Sequence, residues 1–296
     1  MKTNFALLPH EIAFGLFLAV TWLRLAFATG VLGRDSGLFL GLLAVNAVLT
    51  VRCVRQETNL NWRLRLLFYP VAMNITYANL KVSVPAIHPQ LEDSVLQRID
   101  HVLIGTNLSV RLEALVHPAL TELFSICYIL FFPYLVFSMI YYFCGDLRLL
   151  KKFFLGLFTI YGIGFLGYSF IPAVGPHLDP SVAAQFTVPL KGWWLTHWNS
   201  EMVRLGSNRV DAFPSLHCAV SSFLLFFDRV HKPWRFKLYL VPCVGLWLST
   251  IYLRYHYVID LICGFALSAL CLWMADRFDR SQQTERKESH EIPARV

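Results

Sequence analysis

Apolar residues run along this chain in long blocks. A helix crosses a bilayer core in roughly 17–25 apolar residues, and at that length the blocks predict eight spans. They lie at about 12–29, 35–51, 67–85, 118–142, 151–172, 212–228, 237–252 and 256–275. The third is the most interrupted, by Pro70, Asn74, Asn79 and Lys81. The expected fold class is therefore all-α, a polytopic transmembrane bundle. The first block reads as a membrane helix, since Arg24 interrupts the run that a leader peptide would need.

The polar breaks give the blocks a direction. Arg52, Arg55, Arg63 and Arg65 fall after the second block, and Arg148, Lys151 and Lys152 around the next break on that side. Arg229, Lys232, Arg235 and Lys237 follow the sixth block, and Arg277, Arg280, Arg286, Lys287 and Arg295 follow the last. With eight crossings all four basic groups share a side with the N-terminus. Lys and Arg mark the cytoplasmic side, so both termini are expected there. The opposite face receives residues 86–117 and 173–211. Residues 91–115 carry apolar positions at helical spacing, which predicts a surface-lying amphipathic helix. Residues 173–211, with Gly175-Pro176, Pro180, Pro189 and Trp193-Trp194, read as a loop cap with interfacial aromatics. The chain divides into two N-terminal helices (1–55), a six-helix core (56–278) and a polar tail (279–296) expected to be disordered.

Composition supports this class. The chain is 56% hydrophobic and 15% charged, where soluble domains carry about a quarter charged residues. The net charge of +7 is explained by the cytoplasmic Lys and Arg, so no nucleic-acid partner is expected. The seven cysteines form no CxxC pair and read as buried core residues. The expected partner on composition is the membrane itself, and the cysteines do not suggest a metal site.

Three polar clusters stand beside span ends on the non-cytoplasmic face. They are Gly175-Pro176-His177, Phe213-Pro214-Ser215-Leu216-His217, and the run Tyr252 to Asp260 (YLRYHYVID). His256 and Asp260 are placed to share a helix face if the helix has begun by His256. A carboxylate beside an imidazole can hold its Nδ1–H and leave Nε2 free to attack. An acid inside an apolar run needs a partner, so this pair either marks a site or staples the helix start. His217 sits in a first helical turn after Pro214, where free N–H groups favour an anion. Ser215 adds a hydroxyl there, and Arg254 and His177 are candidates to balance phosphate charge. A phosphate held between the histidines would be attacked by His256, while His217 protonates the leaving oxygen.

FPSLH (213–217) and YLRYHYVID (252–260) resemble the second and third motifs of the type 2 phosphatidic acid phosphatase superfamily, most closely its inositol phosphorylceramide synthase-like branch. The resemblance implies a six-helix core, a site on the non-cytoplasmic side and a metal-free phosphohistidine mechanism. It implies His256 as nucleophile, Asp260 as its orienting acid, His217 as general acid and Ser215 on the phosphate. The chain departs from the broad family at Leu216, where the motif has Gly, and at Thr250, where it has Arg. The first motif, a Lys with a following Arg-Pro, is absent, and Gly175-Pro176-His177 stands in its region. The function implied is a lipid phosphatase or a head-group phosphotransferase, with a lipid substrate from the membrane and no metal or cofactor. The competing reading of the same polar residues is a transporter with a His/Asp proton path.

Overall fold

A computed structural model describes residues 7–31 and 33–291 of the chain. Its helices, in order, are α1 (Pro9–Thr29), α2 (Arg34–Arg55), α3 (Asn59–Ile87), α4 (Asp93–Ile104), α5 (Leu108–Arg111), α6 (Pro118–Ile129), α7 (Phe131–Cys144), α8 (Leu147–Phe170), α9 (Pro180–Ala183), α10 (Trp194–Gly206), α11 (Leu216–His231), α12 (Pro233–Tyr252) and α13 (Val258–Glu291). Every apolar block of the sequence is helical. Five helical stretches are long and apolar enough to cross a membrane: Pro9–Thr29, Arg34–Arg55, Pro118–Cys144, Leu147–Phe170 and Val258–Gln283. The bundle is all-α, with no strand among the described residues beyond an isolated bridge between Ala173 and Asp211.

The fourth block divides at Leu130 into α6 and α7. Pro133 has no N–H for the carbonyl of Ile129 and its ring crowds that position, so the helix is interrupted there. The most interior span is α8, with 78% of its apolar window buried. Small residues allow that. A Cβ on Gly162 would stand 2.7 Å from the backbone of α1 at Ala13 and Phe14, and one on Gly167 would stand 2.5 Å from Pro214. One apolar core runs from Phe14 and Leu25 of α1 through Phe158 and Phe165 of α8 to Cys271 of α13. The N-terminal helix thus shares its core with the six-helix part.

The connections rich in Lys and Arg meet at one end of the bundle. Arg63 donates to the carbonyls of Phe143 and Gly145, Arg148 pairs with Asp279 at 2.6 Å, and Lys152 pairs with Asp276 at 2.5 Å. Below them lie two buried pairs, Glu11 with Arg65 and Asp228 with Arg235.

At the other end the structure corrects two expectations. Residues 91–115 do not form one helix: α4 ends at Gly105 in the left-handed conformation (φ +74°), Asn107 caps α5, and a 3-10 turn follows over Leu112–Leu115. Residues 173–211 are not all loop: they include α9 and α10, and α10 packs on α6. The polar tail also differs, since α13 continues as helix to Glu291; residues 292–296 lie outside the described residues.

Four carboxylates tie this end together by accepting backbone N–H groups from other elements. Asp93 accepts from Val174 (3.0 Å) and Gly175 (2.9 Å). Asp100 accepts from Val258 (2.8 Å) and Ile259 (2.9 Å), the first residues of α13. Glu113 holds Thr187 and Val188, and Glu122 holds Trp193, Leu195 and Thr196 at the start of α10. Each satisfies donors that a loop or helix start leaves open. Burial pushes Asp93 and Asp100 above the usual carboxylate range despite these bonds.

Candidate active site

The three polar clusters of the sequence converge beneath this cap. Ser215 closes the N-terminus of α11, its Oγ accepting from Cys218 N at 3.4 Å, so His217 stands in the first turn as expected. The α12–α13 corner is a tight turn: Tyr255 N and His256 N both donate to the carbonyl of Thr250, at 2.9 and 3.1 Å. Thr250 is therefore a corner residue, fully buried, where the broad family has a basic one.

Helix α13 begins at Val258, so His256 lies just ahead of it rather than on its face. Asp260 still reaches back. Its Oδ2 accepts from Tyr257 N at 2.8 Å and stands 3.3 Å from His256 Nδ1. The nearer partner of Nδ1 is the carbonyl of Ala212, at 2.9 Å. A carbonyl only accepts, so Nδ1 carries the proton and Nε2 is the free nitrogen. Ala212 is itself fixed, its N–H donating to Ala173 O at 3.0 Å.

The His217 and His256 rings meet edge to face, with centroids 5.9 Å apart. Tyr128 and Phe131 pack on His217 at 4.6 and 4.8 Å. Both imidazoles line a cavity of about 320 Å³. Its apolar walls come from Met73 of α3, Phe132, Val136 and Met139 of α7, and Phe165 of α8; Val203 of α10 covers it. α3 packs on α1, α2 and α8, while α7 packs on α6, α8 and α11. Between α3 and α7 the lining residues Asn74, Phe132 and Val136 are exposed, so the cavity is open on that side of the bundle.

His177 joins this cavity. Gly175 brings it there: φ is +82°, and a Cβ would stand 2.1 Å from Tyr255 O, so only glycine fits. His177 N donates to Arg254 O at 2.9 Å, and the ring contacts Tyr255 edge-on at 5.1 Å. Burial lowers its pKa to about 4, which leaves it neutral at pH 7, and Nδ1 has no hydrogen-bond partner among the described residues.

Two candidates are placed elsewhere. Ser215 is fully buried and caps α11 without lining the cavity. Arg254 adopts φ +68°, and its side chain turns away from the histidines. It stacks on Phe186 at 3.8 Å, donates to Val188 O at 2.6 Å and stands 3.4 Å from Glu113. Arg254 thus fastens the covering segment and leaves the cavity without a cation: no Lys or Arg is among its lining residues. Leu216, where the family motif has Gly, is accommodated by Gly164 of α8, on which a Cβ would stand 2.4 Å from a Leu216 methyl.

Sequence reading missed Asp211, Tyr77 and the tyrosines Tyr128, Tyr168 and Tyr255, all of which line the cavity. Asp211 lies just upstream of the FPSLH motif, and that nearness was the available signal. Tyr77 comes from an interrupted apolar block and carried none.

A helical membrane bundle with two facing imidazoles, one oriented by a carbonyl and a carboxylate, above a laterally open apolar cavity defines a class of integral membrane proteins acting at the bilayer. The chain belongs to the PAP2 superfamily, whose pattern matches residues 95–274 and takes in both motifs. It is similar to the inositol phosphorylceramide synthase catalytic subunit aur1 of Schizosaccharomyces pombe (strain 972 / ATCC 24843), 27% identical over 236 residues, covering 72% of this chain and 54% of that protein. The chain spans about half the length of that relative. No solved structure matches.

Proposed function

We propose that the protein is a membrane lipid phosphoesterase that works through a phosphohistidine. The single observation that carries this reading is the His217–His256 pair at 5.9 Å, with His256 Nδ1 engaged and Nε2 left free. Imidazole nitrogens flanking one phosphoryl group at hydrogen-bond reach on each side stand within about 8 Å, and this pair is inside that limit. A lipid phosphate enters between α3 and α7. His256 Nε2 attacks phosphorus, the P–O bond to the leaving group breaks, and His217 delivers its proton to the departing oxygen. Asp260 and the Ala212 carbonyl stabilise the imidazole as it gains charge. His217 then takes the proton of the acceptor, which attacks phosphorus and frees His256.

Water as acceptor makes the enzyme a phosphatase; a lipid or sugar hydroxyl makes it a phosphotransferase. The likeness to aur1 and the cover formed by α10 and Arg254 favour transfer, because a covered site limits competing water. The gathering of Lys and Arg at the opposite end supports a site on the non-cytoplasmic side, with both termini in the cytoplasm.

The test is turnover of phosphatidic acid and phosphatidylinositol by purified protein, with and without EDTA, against His256→Ala. The expected result is release unaffected by EDTA and a loss of about 10⁴-fold or more in the variant, the scale on which nucleophiles act. Turnover that survives in His256→Ala removes the nucleophile assignment.

A further inference from the structure

The cavity holds one carboxylate, Asp211, and no Lys or Arg. Phosphate chemistry does not explain that combination, since an anion beside the phosphate raises the cost of binding it. Asp211 has no part in the phosphoryl chemistry described above. Its Oδ2 accepts from Tyr77 OH at 2.6 Å and from Asn208 N at 3.4 Å, and its Oδ1 accepts from Ser207 Oγ at 3.0 Å. None of these donors is a cation, and Asp211 makes no ion pair among the described residues. An ionised carboxylate offers about four acceptor positions, so three donors leave one open. The opening is on Oδ1, and the side chain lines the same cavity as His177, His217 and His256. Its backbone is pinned as well, bridged to Ala173 next to the carbonyl that orients His256.

We propose that Asp211, held in place by Tyr77, accepts a hydrogen bond from a substrate hydroxyl and so seats an alcohol beside the histidine pair. The proposal rests on the phosphoryl-transfer reading above. Two sources carry such a hydroxyl: the polyol head group of a donor lipid, and the alcohol that receives the phosphoryl group. In both cases Asp211 binds without changing bonds, and the proton of the attacking hydroxyl still goes to His217. Neutral His177 can share the same hydroxyl network.

Two ratios separate the sources, each measured on the full-length protein in detergent for wild type, Asp211→Asn and Tyr77→Phe. The first is kcat/KM for phosphatidylinositol over phosphatidic acid, which reads a donor head group. The second is the partition of released phosphoryl groups between water and an added alcohol, with glycerol, myo-inositol and a short-chain ceramide as probes. Wild type is expected to favour the hydroxyl-bearing member of at least one pair. Asp211→Asn is expected to lower that ratio by about ten- to hundredfold, the effect of one hydrogen bond to a charged group. Tyr77→Phe should move it less and in the same direction.

Ratios that do not move, or rates that all fall together, would overturn the proposal and leave Asp211 a purely structural residue. Phosphatidylcholine and phosphatidylethanolamine are assayed alongside as donors, and a loss confined to them would overturn the proposal in favour of a cationic head group. Failure of the underlying reading looks different: wild type turns over no lipid phosphate, or His256→Ala retains turnover.

Discussion

Along α11 the bundle carries two buried polar clusters, one at each end of the helix, about 16 Å apart at 1.5 Å per residue. At its C-terminal end Asp228 accepts from Tyr134 at 2.8 Å, Tyr142 at 2.5 Å and Arg235 at 2.9 Å, and the guanidinium lies against Phe137 and Tyr141. Glu11 and Arg65 repeat the arrangement at the same end of the bundle, with Glu11 also accepting from Leu8 N. At the N-terminal end Asp260 has no cation, and its Oδ1 has no partner among the described residues. His177 Nδ1 is likewise unpartnered, and the two facing imidazoles open on a cavity. A buried charge is tolerable when its partners are complete and costly when they are not. The charge-paired cluster holds helices together, and Arg235 Nη1, which has no hydrogen-bond partner among the described residues, is left against aromatic rings with no cavity beside it. The cluster at the cavity keeps hydrogen-bonding capacity that a ligand can use.

The comparison breaks most easily at His217. His217→Asn removes the proton donor and is expected to cut turnover of phosphatidic acid by 10²–10⁴-fold or so. The loss of stability should be small beside that of Asp228→Ala, because His217 has no ion partner and the change gives up only the ring's packing on Tyr128 and Phe131. Kinetics and thermal unfolding measured on the same preparation check both halves. Asp228→Ala is the mirror image. It strands the Arg235 guanidinium in the core, so a stability loss of about 3–5 kcal/mol is expected, while kcat per folded molecule stays near wild type. If Asp228→Ala abolished turnover in protein that remained folded, the two clusters would not be separable in the way described.

The sequence exposed these clusters unequally. His217, His256 and Asp260 are legible as candidates because a helix start and a short spacing at a span end are local features. Arg254 stands two residues before His256, a position that suits a phosphate cation. The left-handed turn at Arg254 sends the side chain toward Phe186 and Glu113 instead, and a side chain's direction out of such a turn is not written in spacing. The place of Ser215 at a helix start suits a phosphate ligand, since helix starts bind anions, and equally suits the hydroxyl that caps that start. Asp211 and Tyr77 meet across 134 positions of chain, a non-local contact that no periodicity reveals. The eight helical blocks were plain from apolar runs, whereas the break at Leu130 turned on one proline inside an otherwise continuous run.

Two smaller effects sharpen the contrast at the cavity end. His177 is neutral when folded, with a pKa of about 4, against about 6.5 in an unfolded chain. Between these values the unfolded state binds more protons, so falling pH destabilises the fold through this window and the loss levels off below pH 4. Removing the imidazole with His177→Gln should flatten that part of the stability profile, by at most about 3 kcal/mol. Melting temperatures measured from pH 7 to pH 4 for both proteins decide it; parallel profiles would mean that His177 does not titrate as its burial requires.

Ser215→Ala has the smallest expected effect and separates two roles for one hydroxyl. As the cap of α11, Ser215 satisfies Cys218 N, and losing a cap costs about 1 kcal/mol. As a phosphate ligand it would contribute to binding, and its loss would raise KM for phosphatidic acid. The side chain is fully buried and outside the cavity lining, so the expected outcome is a modest drop in melting temperature with KM little changed. A KM raised tenfold with stability intact would return Ser215 to the phosphate and require the start of α11 to open when substrate binds.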